Sequence, residues 1–141
     1  MPIIKRDFVP NVFQDPISKE IESTFQPKVT IFLKINDILY PFKIDAYVDS
    51  GAVRNLFPAD PLKYFKIKLD NGRKRIHYGI GDKEVISFTH DVQILIGEFR
   101  INTEIDFSDE HKPHLLGTDK FFKFFDRVTF NMKNKSLELA Y

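Results

Sequence analysis

The sequence predicts an all-β domain, a barrel or a sandwich, and three observations lead to that prediction. Short segments of alternating apolar and polar residues follow one another closely, as in residues 28–35 and 99–106. Turn-forming pairs such as Asn36-Asp37 and Asn71-Gly72 separate such segments, a combination typical of small all-β folds. The chain has 141 residues, a length that suits one domain with a single core.

Composition and charge exclude several classes of function. With a net charge of +1, the chain lacks the excess of basic residues that is typical of a nucleic-acid-binding protein. The absence of cysteine excludes disulfides and thiolate chemistry and fits a reducing compartment. No apolar run follows Lys5 and Arg6 as it would in a signal peptide, and none has the length of a membrane span. We therefore expect a cytoplasmic protein with neither a membrane nor a nucleic acid as its partner.

Residues 1–26 are expected to form an N-terminal arm, because prolines interrupt any long element there. Asp15 followed by Pro16 is the pattern of a helix N-cap and a first helical position. A short helix that begins there would place Ile17, Ile21 and Phe25 on one face. That face would need a partner surface, in the same chain or in another.

From residue 27 onward the pattern is that of strands. Residues 28–35 alternate, and residues 39–48 form a second strand that leads directly into Asp49. A short helix is predicted from Asp60 to about Phe65, and another over residues 118–125. The remaining predicted strands are 56–58, 73–78, 83–88, 91–96, 99–106, a short buried run at 115–117, 128–132 and 136–140.

Asp49 is the residue best placed for chemistry. It ends an apolar strand and is followed by Ser50 and Gly51. Glycine permits a tight turn and the close approach of a substrate, and the serine hydroxyl can lock the turn by a hydrogen bond. A carboxylate held in this way is rigid and can point in a fixed direction toward a substrate. Asp-Ser-Gly is also a common turn tripeptide, and taken alone it favours an ordinary β-turn.

Peptide hydrolysis without a metal or a covalent nucleophile needs an acid and a base that act together. Two carboxylates close together share one proton, because like charges at short range cannot both ionise. The ionised member takes a proton from water, and the protonated member donates to the scissile carbonyl or the leaving nitrogen. A single Asp49 in one chain does not complete such a site.

Three motifs follow one another in a specific order. Residues 46–52 read Ala-Tyr-Val-Asp-Ser-Gly-Ala, residues 78–82 read Tyr-Gly-Ile-Gly-Asp, and residues 115–119 read Leu-Leu-Gly-Thr-Asp. In content, order and spacing they resemble the active-site loop, the flap tip and the second signature of the retropepsin-like (retroviral-type) aspartic protease family. The resemblance covers residues 27–140 and implies an all-β, retropepsin-like closed β-barrel, half of an acid-protease site, with one short C-terminal helix.

The resemblance also implies roles for these residues in a protease domain that spans residues 27–141. One Asp-Ser-Gly in a chain of this length implies a homodimeric aspartic endopeptidase in which two copies of Asp49 meet at a two-fold axis, braced by Ser50, with no cofactor and no metal. The flap would close over an extended peptide or protein substrate, and Asp119 would be structural, as a helix cap or a partner of nearby backbone. The implied site residues are catalytic Asp49; active-site loop Ser50, Gly51 and Ala52; flap and substrate-binding Tyr78, Gly79, Ile80 and Gly81; and second-signature Leu115, Leu116, Gly117 and Asp119.

Departures from the family's pattern leave other interpretations open. Thr118 stands where an arginine is frequent, and Asp82 replaces a frequent second flap glycine. Asn55 replaces a serine or threonine, with a small expected effect. The alternative to an active endopeptidase is a catalytically inactive module of the same fold that dimerises or binds peptides. A small β-barrel that binds an unrelated ligand is a third interpretation, in which the Asp-Ser-Gly match is accidental.

The other polar and aromatic clusters are not expected to take part in catalysis or metal binding. His111 and His114 lie near acidic residues, but Pro113 interrupts them and no further metal ligand has a recognisable spacing. The basic stretch 63–75 is expected to be a solvated face. The four phenylalanines within residues 121–125 are expected to divide between core and interface.

Overall fold

The computed structural model describes residues 2–141 and consists mainly of strands. Its helical segments within these residues are α1 (Asp60–Tyr64) and single 3-10 turns at Leu69–Asn71, Ile80–Asp82 and Phe122–Phe124. None of them has the length and hydrophobicity that a membrane crossing requires. The strands are β1 (Ile3–Asp7), β2 (Val9–Gln14), β3 (Ile21–Gln26), β4 (Lys28–Ile35), β5 (Ile38–Leu39), β6 (Ile44–Val48), β7 (Leu56–Pro58), β8 (Arg73–Tyr78), β9 (Glu84–Ile96), β10 (Phe99–Ser108), β11 (Leu115–Leu116), β12 (Arg127–Asn131) and β13 (Ser136–Ala140).

Six of these strands close into a barrel. The large sheet has the order β5-β4-β6-β11-β7-β10-β9-β8, and β4 also pairs with β9. Ile31 of β4 lies opposite Ile44 of β6, and Leu33 of β4 lies opposite Ile94 of β9. The ring β4-β6-β11-β7-β10-β9 is thereby closed. The all-β, closed-barrel prediction is confirmed.

Alternation along the strands decides which side chains fill the barrel. Val29, Ile31, Leu33 and Ile35 of β4 are buried and alternate with more exposed residues, because successive side chains of a strand point to opposite faces. The core is apolar, so a buried polar group within it needs hydrogen-bond partners. The buried polar residues are Asn55, Ser87, Thr89, Asp106, Ser108 and Ser136.

The predicted helix after Asp15 is wrong, because residues 9–26 form a hairpin of β2 and β3. Asp15 Oδ1 does accept hydrogen bonds from the N–H groups of Ile17 and Ser18, at 2.8 and 2.7 Å. In this structure the bonds close the hairpin turn. An aspartate can make the same local bonds in a turn as at a helix N-cap, and the pairing of β2 with β3 selects the turn.

A second sheet joins both ends of the described chain. β13 lies between β1 and β12, with Leu137 opposite Arg6 on one side and opposite Phe130 on the other. Residues 3–7, which the sequence places in the arm, are therefore part of this sheet. Only residues 9–26 form a separate two-stranded unit among those the structure describes.

The predicted helix over residues 118–125 is reduced to the 3-10 turn Phe122–Phe124. The N–H groups of Phe121 and Phe122 both donate to the Gly117 carbonyl, at 3.0 and 3.1 Å, and that of Phe124 donates to the Phe121 carbonyl at 3.2 Å, so the regular bond series of an α-helix does not form. Phe121 and Phe125 are buried in the core. Phenylalanine has only a modest helix propensity, so the burial of these rings decides the local structure.

Candidate active site

Asp49 directly follows β6, where two strands run side by side. Val48 of β6 is buried and lies opposite Leu116 of the parallel strand β11. The N–H of Asp49 donates to the carbonyl of Leu116 at 2.9 Å. The barrel thus fixes the backbone of Asp49, while its side chain is half-buried.

The turn after Asp49 orients its carboxylate. The N–H of Gly51 donates to Asp49 Oδ1 at 2.8 Å, and the N–H of Ala52 donates to the Asp49 carbonyl at 3.2 Å. A Cβ on residue 51 would lie 3.2 Å from Asp49 Oδ1. Gly51 does not have a positive φ, so space beside the carboxylate, and not backbone freedom, explains this glycine. Ser50 is exposed at the turn.

The second predicted motif packs against this turn. The N–H groups of Thr118 and Asp119 donate to the carbonyls of Ala52 and Val53, both at 2.8 Å. Together with the pairing of β11 and β6, these bonds bring residues 49–53 and 115–119 into one unit. The structure therefore brings together two of the three motifs that the sequence analysis singled out.

Gly117 lies at the closest approach between these motifs, and its replacement is expected to destabilise the fold. A Cβ there would lie 2.6 Å from the Arg54 carbonyl oxygen and 2.7 Å from the Val53 carbonyl group, so backbone must move. We expect Gly117→Ala to lower the free energy of unfolding by about 2–3 kcal/mol, measured by urea denaturation. Gly79→Ala, whose Cβ meets nothing closer than 3.7 Å, is the control. A loss at residue 117 no larger than that of the control would contradict the packing argument.

Of the two structural roles expected for Asp119, the helix cap is wrong, whereas its N–H does bond nearby backbone, the Val53 carbonyl at 2.8 Å. The 3-10 turn that follows has Phe121 at its N-cap position, without a side-chain cap. The Asp119 carboxylate is half-exposed and lies 3.6 Å from Lys120 Nζ and 4.0 Å from Lys123 Nζ. Pairs as exposed as these contribute little to stability.

Asn55 has a larger structural role than the small effect expected from its sequence position. Its side chain is completely buried. Its Nδ2 donates to the carbonyls of Glu104 and Lys120, both at 3.0 Å, and its Oδ1 accepts the N–H of Gly117 at 2.9 Å. One amide thus joins the loop after Asp49 to β10 and to the second motif. No local pattern indicates this role, because an asparagine beside an apolar strand is more often exposed.

The predicted flap tip is the exposed end of the β8–β9 hairpin. The N–H of Gly79 donates to the Lys83 carbonyl at 2.8 Å. Gly81 has φ +74° and Asp82 has φ +59°, the left-handed region that favours glycine. Ile80 is fully exposed, and Tyr78 is largely exposed.

A cavity of about 620 Å³ opens beside Asp49. Residues 78–81 do not line it, so in one chain, over residues 2–141, the structure does not bring the hairpin tip to the carboxylate. Most of its walls are apolar. The lining residues include Tyr47, Asp49, Ser50, Leu115, Phe130 and Met132.

His111 and His114 lie on the segment that leads into β11. The carbonyl of His114 accepts the N–H of Tyr47 at 2.8 Å, and its ring meets the edge of Phe57 at a centroid distance of 4.9 Å. Burial lowers the pKa of both histidines below the ordinary value of 6.5. No three His, Asp or Glu side chains gather as metal ligands in the part of the chain that the structure describes.

These two histidines are expected to make the protein less stable in mild acid. Because their pKa is lowered in the folded state, the unfolded chain binds more protons as the pH falls below 6.5, and stability is lost progressively toward the folded-state pKa. Urea unfolding at several values between about pH 5 and pH 8 measures this slope. His114→Gln should flatten it, and an unchanged slope in that variant would contradict the assignment.

A charged network beside the site was not predicted. Asp106 on β10 is completely buried. It accepts hydrogen bonds from Arg54 Nε and Nη2 at 2.6 and 2.9 Å and from Thr89 Oγ1 at 2.6 Å, and His77 Nε2 lies 3.0 Å away. Burial alone raises the pKa of Asp106, but the bonds with His77, Arg54 and Thr89 outweigh burial and hold this pKa well below its ordinary value. Asp106 is therefore an ionised carboxylate inside the barrel.

The signal for this network was a period of two in charged residues. Arg73, Arg75 and His77 alternate along β8, and Glu104 and Asp106 alternate along β10, so each set lies on one face. Arg73 forms a salt bridge with Glu104. The prediction that the basic stretch is simply a solvated face is therefore wrong at its end in β8.

Comparison with known proteins identifies the fold. No protein-family model and no curated protein sequence matches the chain. A retropepsin-like aspartic protease from Rickettsia conorii has a similar structure with a TM-score of 0.60, 15% identity, and coverage of 100% of this chain and 96% of that one. The protease of EIAV, solved with the inhibitor HBY-793, has a TM-score of 0.50, 23% identity, and coverage of 67% and 83%.

A third similar structure is the retroviral protease-like domain of Ddi1 from Leishmania major, with a TM-score of 0.50, 17% identity, and coverage of 79% of this chain and 87% of that one. These likenesses agree with the closed barrel. They span different organisms and share one architecture. The chain therefore has the retropepsin-like fold of these aspartic proteases.

Proposed function

We propose that this chain is an aspartic endopeptidase whose active site is completed by a second copy of itself, each copy contributing Asp49. The observation that carries the proposal is the placement of Asp49: a half-buried carboxylate at the end of β6, oriented by the N–H of Gly51 at 2.8 Å and bordering a cavity of about 620 Å³. In this proposal residues 27–141 form the protease domain, β1 adds a strand to its second sheet by pairing with β13, and the β2–β3 hairpin of residues 9–26 forms the arm.

The chemistry follows from the pairing of two identical carboxylates. Two Asp49 side chains at a two-fold axis share one proton, since their charges at short range disfavour double ionisation. The ionised Asp49 removes a proton from a water molecule, which attacks the scissile carbonyl carbon. The protonated Asp49 donates to the carbonyl oxygen, and a later proton transfer to the nitrogen releases the amine. The apparent pKa values then belong to the pair.

The neighbouring residues have supporting roles in this proposal. Ser50, exposed at the turn, is accessible to a second copy and braces the pair through its hydroxyl. The β8–β9 hairpin covers the bound peptide, and the exposed backbone of residues 79–81 offers hydrogen bonds to it. Closing over the substrate excludes water from the reacting groups.

The test is digestion of a peptide library from about pH 3 to pH 8, with Asp49→Asn as the inactive control and sedimentation to measure the oligomeric state. We expect a dimer and a cleavage rate that rises as the pH falls below neutrality, because the pair needs one proton. A dimer that binds peptides and cleaves none would identify the inactive module of the same fold. A chain that stays monomeric at high concentration would overturn the proposal.

A further inference from the structure

We propose that Asp106 is a positioning residue that couples the β8–β9 hairpin to the loop carrying Asp49, so that the opening of one loosens the other. The inference rests on the proposed function only in treating the hairpin as the cover of the substrate. The coupling itself is a property of the free chain. Asp106 belongs to none of the three motifs that define the candidate site.

Both strands of the hairpin hold the same carboxylate. His77 of β8 places Nε2 3.0 Å from Asp106 Oδ2, and Thr89 of β9 donates its hydroxyl to Asp106 Oδ1 at 2.6 Å. Arg75 of β8 donates to the Thr89 hydroxyl at 2.9 Å. The hairpin is therefore tied to β10 through side chains as well as through the backbone pairing of β9 with β10.

The loop that carries Asp49 holds this carboxylate from the other side. Arg54 Nε and Nη2 bond Oδ2 and Oδ1 of Asp106 in a bidentate pair, the geometry in which arginine binds a carboxylate most strongly. The N–H of Asp106 also donates to the Asn55 carbonyl at 2.9 Å. Asp106 thus holds residues 54 and 55 through both its main chain and its side chain.

Burial makes this connection cooperative. The side chain of Asp106 is completely buried and that of Arg54 is 16% exposed, so a lost partner is not replaced by water without a large penalty. Members of one buried network respond together to the loss of any of them. The pair of Lys63 and Asp60, with both side chains 78% exposed, has no such property.

Amide hydrogen exchange, followed by mass spectrometry on the full chain without substrate, tests the coupling. Thr89→Val keeps the shape of the side chain and removes the hydroxyl, whereas Thr89→Ser keeps the hydroxyl. We expect Thr89→Val to raise exchange about tenfold in residues 73–88 and also in residues 50–57, with less than about a twofold change in residues 29–35. Thr89→Ser should change each segment by less than about twofold.

Three results would overturn the inference. Faster exchange in the hairpin with unchanged exchange in residues 50–57 would mean that the network does not connect the hairpin to the loop. Equal acceleration in residues 29–35 would mean general destabilisation, and equal effects of the valine and serine variants would remove the hydroxyl from the connection. If Thr89→Val does not fold, His77→Phe on the other strand removes a bond to the same carboxylate, and His77→Gln, whose amide can still donate to Asp106, is its control. The measurement can be repeated with Asp49→Asn, so its outcome is independent of whether the chain cleaves peptides.

Discussion

Replacing Asp49 by asparagine is expected to lower peptide cleavage by about a thousandfold or more while leaving the fold intact. The amide oxygen of asparagine can still accept the N–H of Gly51, which lies 2.8 Å from Oδ1, so the turn keeps its bond. The proton shared by the two carboxylates is lost, and with it the base that activates water. Peptide cleavage and urea unfolding of the same preparations measure the two effects.

The control for this substitution is Asp45→Asn on the same strand. Asp45 is exposed and accepts the hydroxyl of Thr30 at 2.6 Å, a bond that asparagine can also accept. We expect this variant to cleave at the wild-type rate. Residual cleavage by Asp49→Asn within tenfold of the wild type would contradict the role of Asp49.

Mixing the two forms shows whether the site needs two chains. With free exchange of subunits, an equal mixture of wild type and Asp49→Asn contains about one quarter wild-type dimers. The mixture should therefore show about one quarter of the activity of the same total amount of wild type. A value near one half would mean that each chain works alone.

Asn55→Ala is expected to lower the free energy of unfolding by about 4 kcal/mol. The substitution removes the amide that bonds the N–H of Gly117 and the carbonyl of Glu104, and each unsatisfied group is worth about 1–3 kcal/mol. The Lys120 carbonyl, the third partner of the amide, keeps the hydroxyl of Thr103 at 2.7 Å. Urea unfolding monitored by circular dichroism measures the change.

Asn102→Ala is the matched control for that experiment. Asn102 lies on β10 and is exposed, with its Oδ1 3.0 Å from Gln93 Nε2. Its replacement should change the free energy of unfolding by less than about 0.5 kcal/mol. A loss below about 1 kcal/mol for Asn55→Ala would mean that water replaces the amide, and the bridging role would be withdrawn.

The parts of the fold that could be predicted are those where one local rule dominates. The alternation of β4 predicts a strand with a buried face, and Val29 and Leu33 are buried as expected. The apolar strand before Asp49 likewise fixes where that carboxylate lies. In both cases the alternation of side chains favours the same strand that the packing of the core requires. Tertiary contacts therefore do not change the local structure that the sequence predicts.

The parts that could not be predicted depend on partners distant in the sequence. Asp15 makes the bonds of a helix cap, but β2 and β3 pair and turn it into the corner of a hairpin. Phe121 and Phe125 are buried in the core, and their packing leaves one 3-10 turn where a longer helix was expected. The period of two along β8 and β10 indicates which side chains share a face, but it does not show that Asp106 meets residues 17, 29 and 52 positions away.

The position of β13 has a consequence for the time at which the protein becomes complete during synthesis. Because Ile3 pairs with Ala140, β1 stays without this neighbour until β13 has left the ribosome. Contacts of such long range form late. The barrel strands that hold Asp49, β4 to β11, can therefore pair with one another before this second sheet has all of its strands.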